Sequence, residues 1–149
     1  MSASKEKNIT GQRQDYRYFT EITTRWHDND LYGHVNNVTY YSYFDTVANT
    51  YLIERGGLDI HNGQTIGLVV NSGCSYHAAI AFPDQLDGGL RINRIGNSSV
   101  EYGIGIFKKG QMTAVAEGHF VHVFVDRETR KSTPIPDALR SALALILAE

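Results

Sequence analysis

The sequence predicts an α+β domain, one long helix packed against an antiparallel sheet, and three observations carry that prediction. A single stretch, Val38 to about Arg55, sets apolar side chains at three- and four-residue steps and ends at Gly56-Gly57. Four later stretches, Ile66 to Phe82, Leu86 to Ile95, Ser98 to Phe107 and Met112 to Asp126, are β-rich and separated by the turn-forming runs Pro83-Asp84, Gly96-Asn97 and Lys108-Lys109-Gly110. Turns that short join antiparallel neighbours, because a parallel connection needs a long crossover. A further strand precedes the helix, so the order is strand, long helix, four strands, short helix, with no internal repeat and no low-complexity segment.

Met1 to Asp15 holds Ser, Lys, Glu, Gln and Asn with almost no large apolar side chain. Burial there cannot offset the entropy of ordering, so 1–15 reads as a disordered polar tail and 16–149 as a single domain. From Tyr16 to Trp26, residues Tyr16, Tyr18, Thr20, Ile22, Thr24 and Trp26 share one strand parity. Asn36 or Asn37 offers a short acceptor for the first turn of the helix. Within the helix, Val38, Tyr41, Phe44 or Asp45, Ala48, Tyr51 and Leu52 form the periodic stripe. Tyr40, Tyr41, Tyr43, Phe44 and Tyr51 make it apolar on more than one side, which suits a helix wrapped by a sheet. Leu58 to Thr65 is a loop. In the last strand, His119, Val121, Val123 and Val125 alternate with Phe120, His122 and Phe124, as in a strand covered on both faces. After Thr133-Pro134-Ile135-Pro136, a closing helix from about Asp137 carries Leu139, Ala142, Leu143 and Ile146 on one stripe.

With 42% hydrophobic and 20% charged residues in a chain of 149, a full core can form. Fourteen basic and sixteen acidic residues leave a net charge of −2. That balance argues against a protein built to coat nucleic acid or an anionic membrane, and any anionic ligand must meet a local basic patch. Cys74 is the only cysteine, which excludes an intramolecular disulfide. No apolar leader and no long apolar span is present, so the expected setting is cytoplasmic, with neither membrane nor nucleic acid as partner.

The run Arg25-Trp26-His27-Asp28-Asn29-Asp30-Leu31-Tyr32-Gly33-His34-Val35-Asn36-Asn37 joins the first strand to the long helix. A polar, glycine-containing loop at a helix N-terminus sets carboxylates beside backbone N–H groups that stabilise negative charge, a hydrolytic arrangement. The pattern Asp28-x-Asp30-x-x-Gly33-His34-Val35-Asn36-Asn37, then Tyr40, Tyr43-Phe44 and Ala48, resembles the signature of hotdog-fold acyl-CoA thioesterases, with the 4-hydroxybenzoyl-CoA thioesterase family as the closest type. The resemblance spans about Tyr16 to Pro136 and is densest at 25–48. It implies a five-stranded antiparallel sheet wrapped around the central helix, and hydrolysis of acyl-CoA esters without metal or organic cofactor. Asp30 matches the catalytic position, as general base or nucleophile, and the backbone N–H of Asn37 matches the group that polarises the thioester carbonyl. Asp28, Gly33, His34 and Asn36 would support the loop, Asp28 by orienting it and His34 by packing its ring and hydrogen-bonding there. A single curved sheet around one helix leaves sheet edges and aromatic surface that need a partner, so a homo-oligomer, a dimer or homotetramer, is expected, and the resemblance implies sites shared between subunits.

Aromatic residues of the helix, Tyr40, Tyr41 and Phe44, are the expected acyl pocket, favouring aromatic or medium to long aliphatic acyl groups. Coenzyme A carries phosphates, and Arg94 and Ser99, in a run resembling the family's strand junction near the ligand, are the candidates to meet them. Asp45 is the alternative catalytic carboxylate, since a related type places it inside the helix. His27, Asp28, Asp30 and His34 contain ligand types for a metal, but their spacing matches no ligand signature and no metal is expected. Cys74 and His77, three apart in a strand, point to opposite faces. No Gly-x-Ser-x-Gly elbow or phosphate-binding glycine loop occurs. The alternatives to a hydrolase are a non-catalytic acyl-binding module and a dehydratase on the same fold, for which His34 is the histidine at hand.

Overall fold

A computed structural model describes residues 11–148. Five strands, β1 (Tyr18–Thr23), β2 (Thr65–Tyr76), β3 (Gln85–Ile95), β4 (Ser99–Lys108) and β5 (Ala116–Asp126), form one sheet in the order β1-β3-β4-β5-β2. All four pairings are antiparallel. The long helix α1 (Asn37–Glu54) lies against one face, and the short helix α2 (Asp137–Ala144) closes the same core. This is the hotdog arrangement.

The core is formed where the helix meets the sheet. Tyr40, Tyr43, Phe44, Val47, Ala48, Tyr51 and Leu52 of α1 are buried against Leu90, Ile92, Val100, Tyr102, Ile104, Ile106, Phe120 and Phe124 of the strands. Leu139, Ala142, Leu143 and Ile146 join them, as their spacing predicts. The α1 stripe read from sequence is displaced: Val38 and Tyr41 face outward, and Tyr40, Tyr43 and Val47 take the core. With aromatic residues around most of the helix, several three-and-four spacings fit equally well, and the sheet selects one.

Three boundaries differ from expectation. The entering strand is shorter, Tyr18–Thr23, because Trp26–Asp28 coils into a single 3₁₀ turn. β2 stops at Tyr76, since the N–H groups of His77 and Ala78 both donate to Val115 O and leave the ladder. Of the expected tail, residues 1–10 lie outside the described residues, whereas Gln12 bridges to Thr113 and Arg13–Asp15 form a turn. Polar contacts hold that segment: Arg13 pairs with Asp87 at 3.0 Å and its guanidinium lies over Phe19 and Phe107.

The outer face of β5 is also more open than the alternation suggests. Phe120, His122 and Phe124 are buried beneath α1, but Val121 and Val123 are half-buried and His119 is exposed. β2 forms one edge of the sheet, and Leu68, Val69 and Val70 are exposed on it.

Candidate active site

The loop between β1 and α1 is fastened from below by Asp28, which is only 2% exposed. Its carboxylate accepts from Arg25 N at 2.9 Å, from the Arg25 guanidinium at 3.1 and 2.9 Å, and from the Tyr43 hydroxyl at 2.7 Å. Burial would raise its pKa, but these donors outweigh it and hold the carboxyl below the usual aspartate value. Tyr43 shifts the other way, its hydroxyl pushed up by burial and by the Asp28 carboxylate. Backbone bonds complete the frame: Asn36 N donates to Asp28 O at 2.9 Å and Val35 N to Ile80 O at 2.8 Å. Asn29 Oδ1 accepts from Phe82 N at 2.9 Å.

Above this frame the chain makes a small hairpin. Asn29 bridges to Val35, and Asp30 N donates to His34 O at 2.9 Å. Gly33 turns the tip with φ +83, a left-handed conformation that a side chain would strain even though the space beside it is open. Asp30 sits at the hairpin's base, with Oδ1 accepting from Tyr32 N at 2.9 Å and Oδ2 without a partner among the described residues. Asn36 then caps α1, its Oδ1 accepting from Val38 N at 2.9 Å. That leaves the first N–H of the helix, on Asn37, without a partner among the described residues.

Asp30, His34, Asn37 and Tyr40 line one open cavity of about 550 Å³. A carboxylate and a helix N-terminal donor thus share a space large enough for a thioester and its surroundings. His34 does not pack its ring as expected: it is exposed, and only its backbone carbonyl holds the loop.

A family model described as the thioesterase-like superfamily matches residues 24–143. The chain belongs to that superfamily. Among solved structures, the PA5185 protein of Pseudomonas aeruginosa is 56% identical, with a TM-score of 0.93 over 94% of this chain and 98% of that one. Slr0204 of Synechocystis, a 1,4-dihydroxy-2-naphthoyl-CoA thioesterase, is 18% identical and has a TM-score of 0.77 over 85% of this chain and 95% of its own, a likeness of fold. YsmA of Bacillus subtilis is 26% identical over 88 residues, which span 59% of each chain.

Within this thioesterase-like chain, the predicted residues divide into three groups. Asp30, His34, Asn37 and Tyr40 meet at the cavity, with Asp28, Gly33 and Asn36 as its frame. Tyr41 and Phe44 line an adjoining hollow with Val38, although Phe44 is almost wholly core. Arg94 and Ser99 lie elsewhere, at the end of β3 and start of β4, whereas the Asp30 loop packs beside the opposite end of the sheet, near Ile80 and Phe82. One chain does not bring them to Asp30. Asp45 is exposed on α1, accepts from Asn49 Nδ2 at 3.0 Å and lines the adjoining hollow instead of the cavity. Among the described residues no three His, Cys, Asp or Glu side chains gather as a metal set, and the Asp28 oxygens are engaged by Arg25 and Tyr43.

Among the residues lining this cavity that sequence reasoning did not assign to the site, two carry polar side chains from beyond the loop. His77 lines it just beyond β2, with Nε2 2.9 Å from Glu117 Oε2. Tyr76 also lines it and donates to Asn37 O at 3.3 Å. Both come from a distant stretch, where the sequence relates His77 only to Cys74 and no spacing links either residue to the Asp30 loop. Among the described residues no helix is long and apolar enough to cross a membrane.

Proposed function

We propose that this chain hydrolyses acyl-CoA thioesters to a free acid and CoA, with Asp30 as the reacting carboxylate and Asn37 N–H as the carbonyl donor. The observation that carries the reading is the shared cavity of Asp30 and the unpartnered Asn37 N–H, in a chain of the thioesterase-like superfamily. As general base, Asp30 takes a proton from a water that attacks the carbonyl carbon. As nucleophile, it forms an acyl anhydride that water then opens. In both routes negative charge grows on the carbonyl oxygen, the C–S bond breaks and CoA leaves as a thiolate. The free Oδ2 of Asp30 serves either route.

The working unit in this reading is a homo-oligomer, a dimer or tetramer. The exposed Leu68, Val69 and Val70 on the β2 edge need covering, and Arg94 and Ser99 reach a CoA bound at Asp30 only from a second copy. A single half-buried cysteine suits a reducing, cytoplasmic setting. Thiol release measured over a panel of acyl-CoA esters tests the proposal. Release that depends on Asp30 supports it; no release from any ester, aromatic or aliphatic, overturns it in favour of a binding module or dehydratase.

A further inference from the structure

On the helix-facing side of β5, Phe120, His122 and Phe124 follow one another, so one histidine stands in an aromatic layer. It is 3% exposed. Its Nδ1 lies 3.0 Å from the hydroxyl of Tyr102, itself fully buried. Tyr102 has no other hydrogen-bond partner among the described residues, so its hydroxyl proton is satisfied only by donating to Nδ1, the arrangement that puts the imidazole proton on Nε2. That Nε2 has no partner among the described residues. A polar pair set in such a layer costs stability that phenylalanine would not, and because no buried side-chain nitrogen or oxygen among the described residues lacks a partner, the unpartnered Nε2 is an accessible atom open to a ligand.

The histidine lines a cavity of about 170 Å³ with Leu58, Ile66, Gly67 and Asn49. Gly67 keeps that space open, since a Cβ there would stand 3.1 Å from His122 Nδ1. Asn49 gives its Nδ2 to Asp45, which leaves Oδ1 as an acceptor. The cavity is the third along one side of α1. Asn37 and Tyr40 line the Asp30 cavity, Val38 and Tyr41 the hollow after it, and Asn49 this one, while β2 supplies Tyr76, then Ser72 and Val69, then Gly67 in step. At 1.5 Å per residue, α1 rises about 18 Å from Asn37 to Asn49. Bonds of about 1.5 Å at about 111° advance an extended chain by about 1.25 Å each, so about fourteen carbons cover that span.

We infer that the third cavity receives the far end of a long acyl chain, and that His122 Nε2 and Asn49 Oδ1 together bind a hydroxyl carried there. A hydroxyl accepts from one and donates to the other, which a methyl end cannot do. The substrates are then long-chain acyl-CoA esters hydroxylated at the end remote from the thioester. This rests on the reading of Asp30 as the hydrolytic carboxylate.

The test compares kcat/KM for myristoyl-CoA and omega-hydroxymyristoyl-CoA in the wild type, His122→Phe and Asn49→Leu. The wild type is expected to favour the hydroxylated ester at least about tenfold. Both variants are expected to bring that ratio towards one, whereas a merely structural role would lower both rates and preserve it. Asn49→Leu, at a half-buried position outside the core cluster, stands in should His122→Phe not fold. Equal rates for the two esters in the wild type, or an unchanged ratio in the variants, overturns the inference and leaves the hydrolase reading intact. Binding of free omega-hydroxymyristate and myristate, followed by the nitrogen shift of His122 Nε2, gives an arm without turnover. A chain that cleaves neither ester overturns the inference, whereas the hydrolase reading falls only if no ester of the wider panel, aromatic or aliphatic, is cleaved; a nonselective or absent shift likewise overturns the inference.

Discussion

Tyr43 donates its hydroxyl to Asp28 Oδ2 at 2.7 Å, so a residue of the helix interior fixes the carboxylate two positions before Asp30. Tyr43→Phe keeps the ring and removes one donor from a buried acid, and stability is expected to fall by about 1 to 2 kcal/mol. Asp28→Ala strands the Tyr43 hydroxyl and frees the loop, and is expected to cost more, about 3 kcal/mol. Urea unfolding of both variants checks the order. Because the pKa of Asp28 is lowered on folding, its contribution is complete above the ordinary aspartate range and is lost as pH falls through the lowered value.

Asp30→Asn keeps shape and hydrogen bonding but removes the base or nucleophile. Turnover is expected to drop by at least about a hundredfold with acyl-CoA affinity retained. Single-turnover kinetics beside equilibrium binding separates the two; wild-type turnover in the variant would remove Asp30 from the mechanism.

His122 gives a second pH signature, at higher pH than Asp28. Burial lowers its pKa from 6.5 to about 4, so between those values the unfolded chain binds the extra proton. Stability is therefore complete above about pH 6.5 and declines towards pH 4, by about 3 kcal/mol at about 1.4 kcal/mol per unit. Unfolding free energies of wild type and His122→Phe across that range check it, because the remaining histidines are common to both. Parallel curves would refute the assignment.

For an acyl chain running from the Asp30 cavity into the hollow lined by Val38 and Tyr41, each added methylene buried is worth about 0.8 kcal/mol, or about fourfold in kcat/KM. The specificity constant is expected to climb with acyl length and then level off. Val38→Asp, at a position 74% exposed and so remote from the core, should flatten the climb. A preference for acetyl-CoA in the wild type would show that the aromatic helix serves the core alone.

If the β2 edge is the contact between copies, Leu68→Lys with Val70→Lys should shift light-scattering mass towards the monomer and reduce turnover together. A monomeric wild type with full activity would exclude shared sites.

The sequence disclosed the element order, the caps and the loop, because each depends on local chemistry: Asn36 accepts from Val38 N, and Gly33 takes the positive φ. It disclosed less of what lies across the fold. Tyr43 stands fifteen positions from Asp28, and His77 and Glu117 come from different strands' ends, so no spacing announces either pair. Arg94 and Ser99 show the converse. A local likeness suggested that they share a site with Asp30, and the antiparallel order places them at the other end of the sheet.

The hairpin carrying Asp30 is tied by main-chain bonds and by Asp28 beneath it, while its tip, Leu31 and Tyr32, is fully open, Leu31 at 103% exposure. Nothing that positions the carboxylate depends on the side chain of either tip residue. Reactivity and selectivity are thereby separated at this rim: position 31 can drift, or be randomised by an engineer, to retune what docks at the mouth, whereas Tyr32 also lines the Asp30 cavity and shapes the space in which the chemistry occurs.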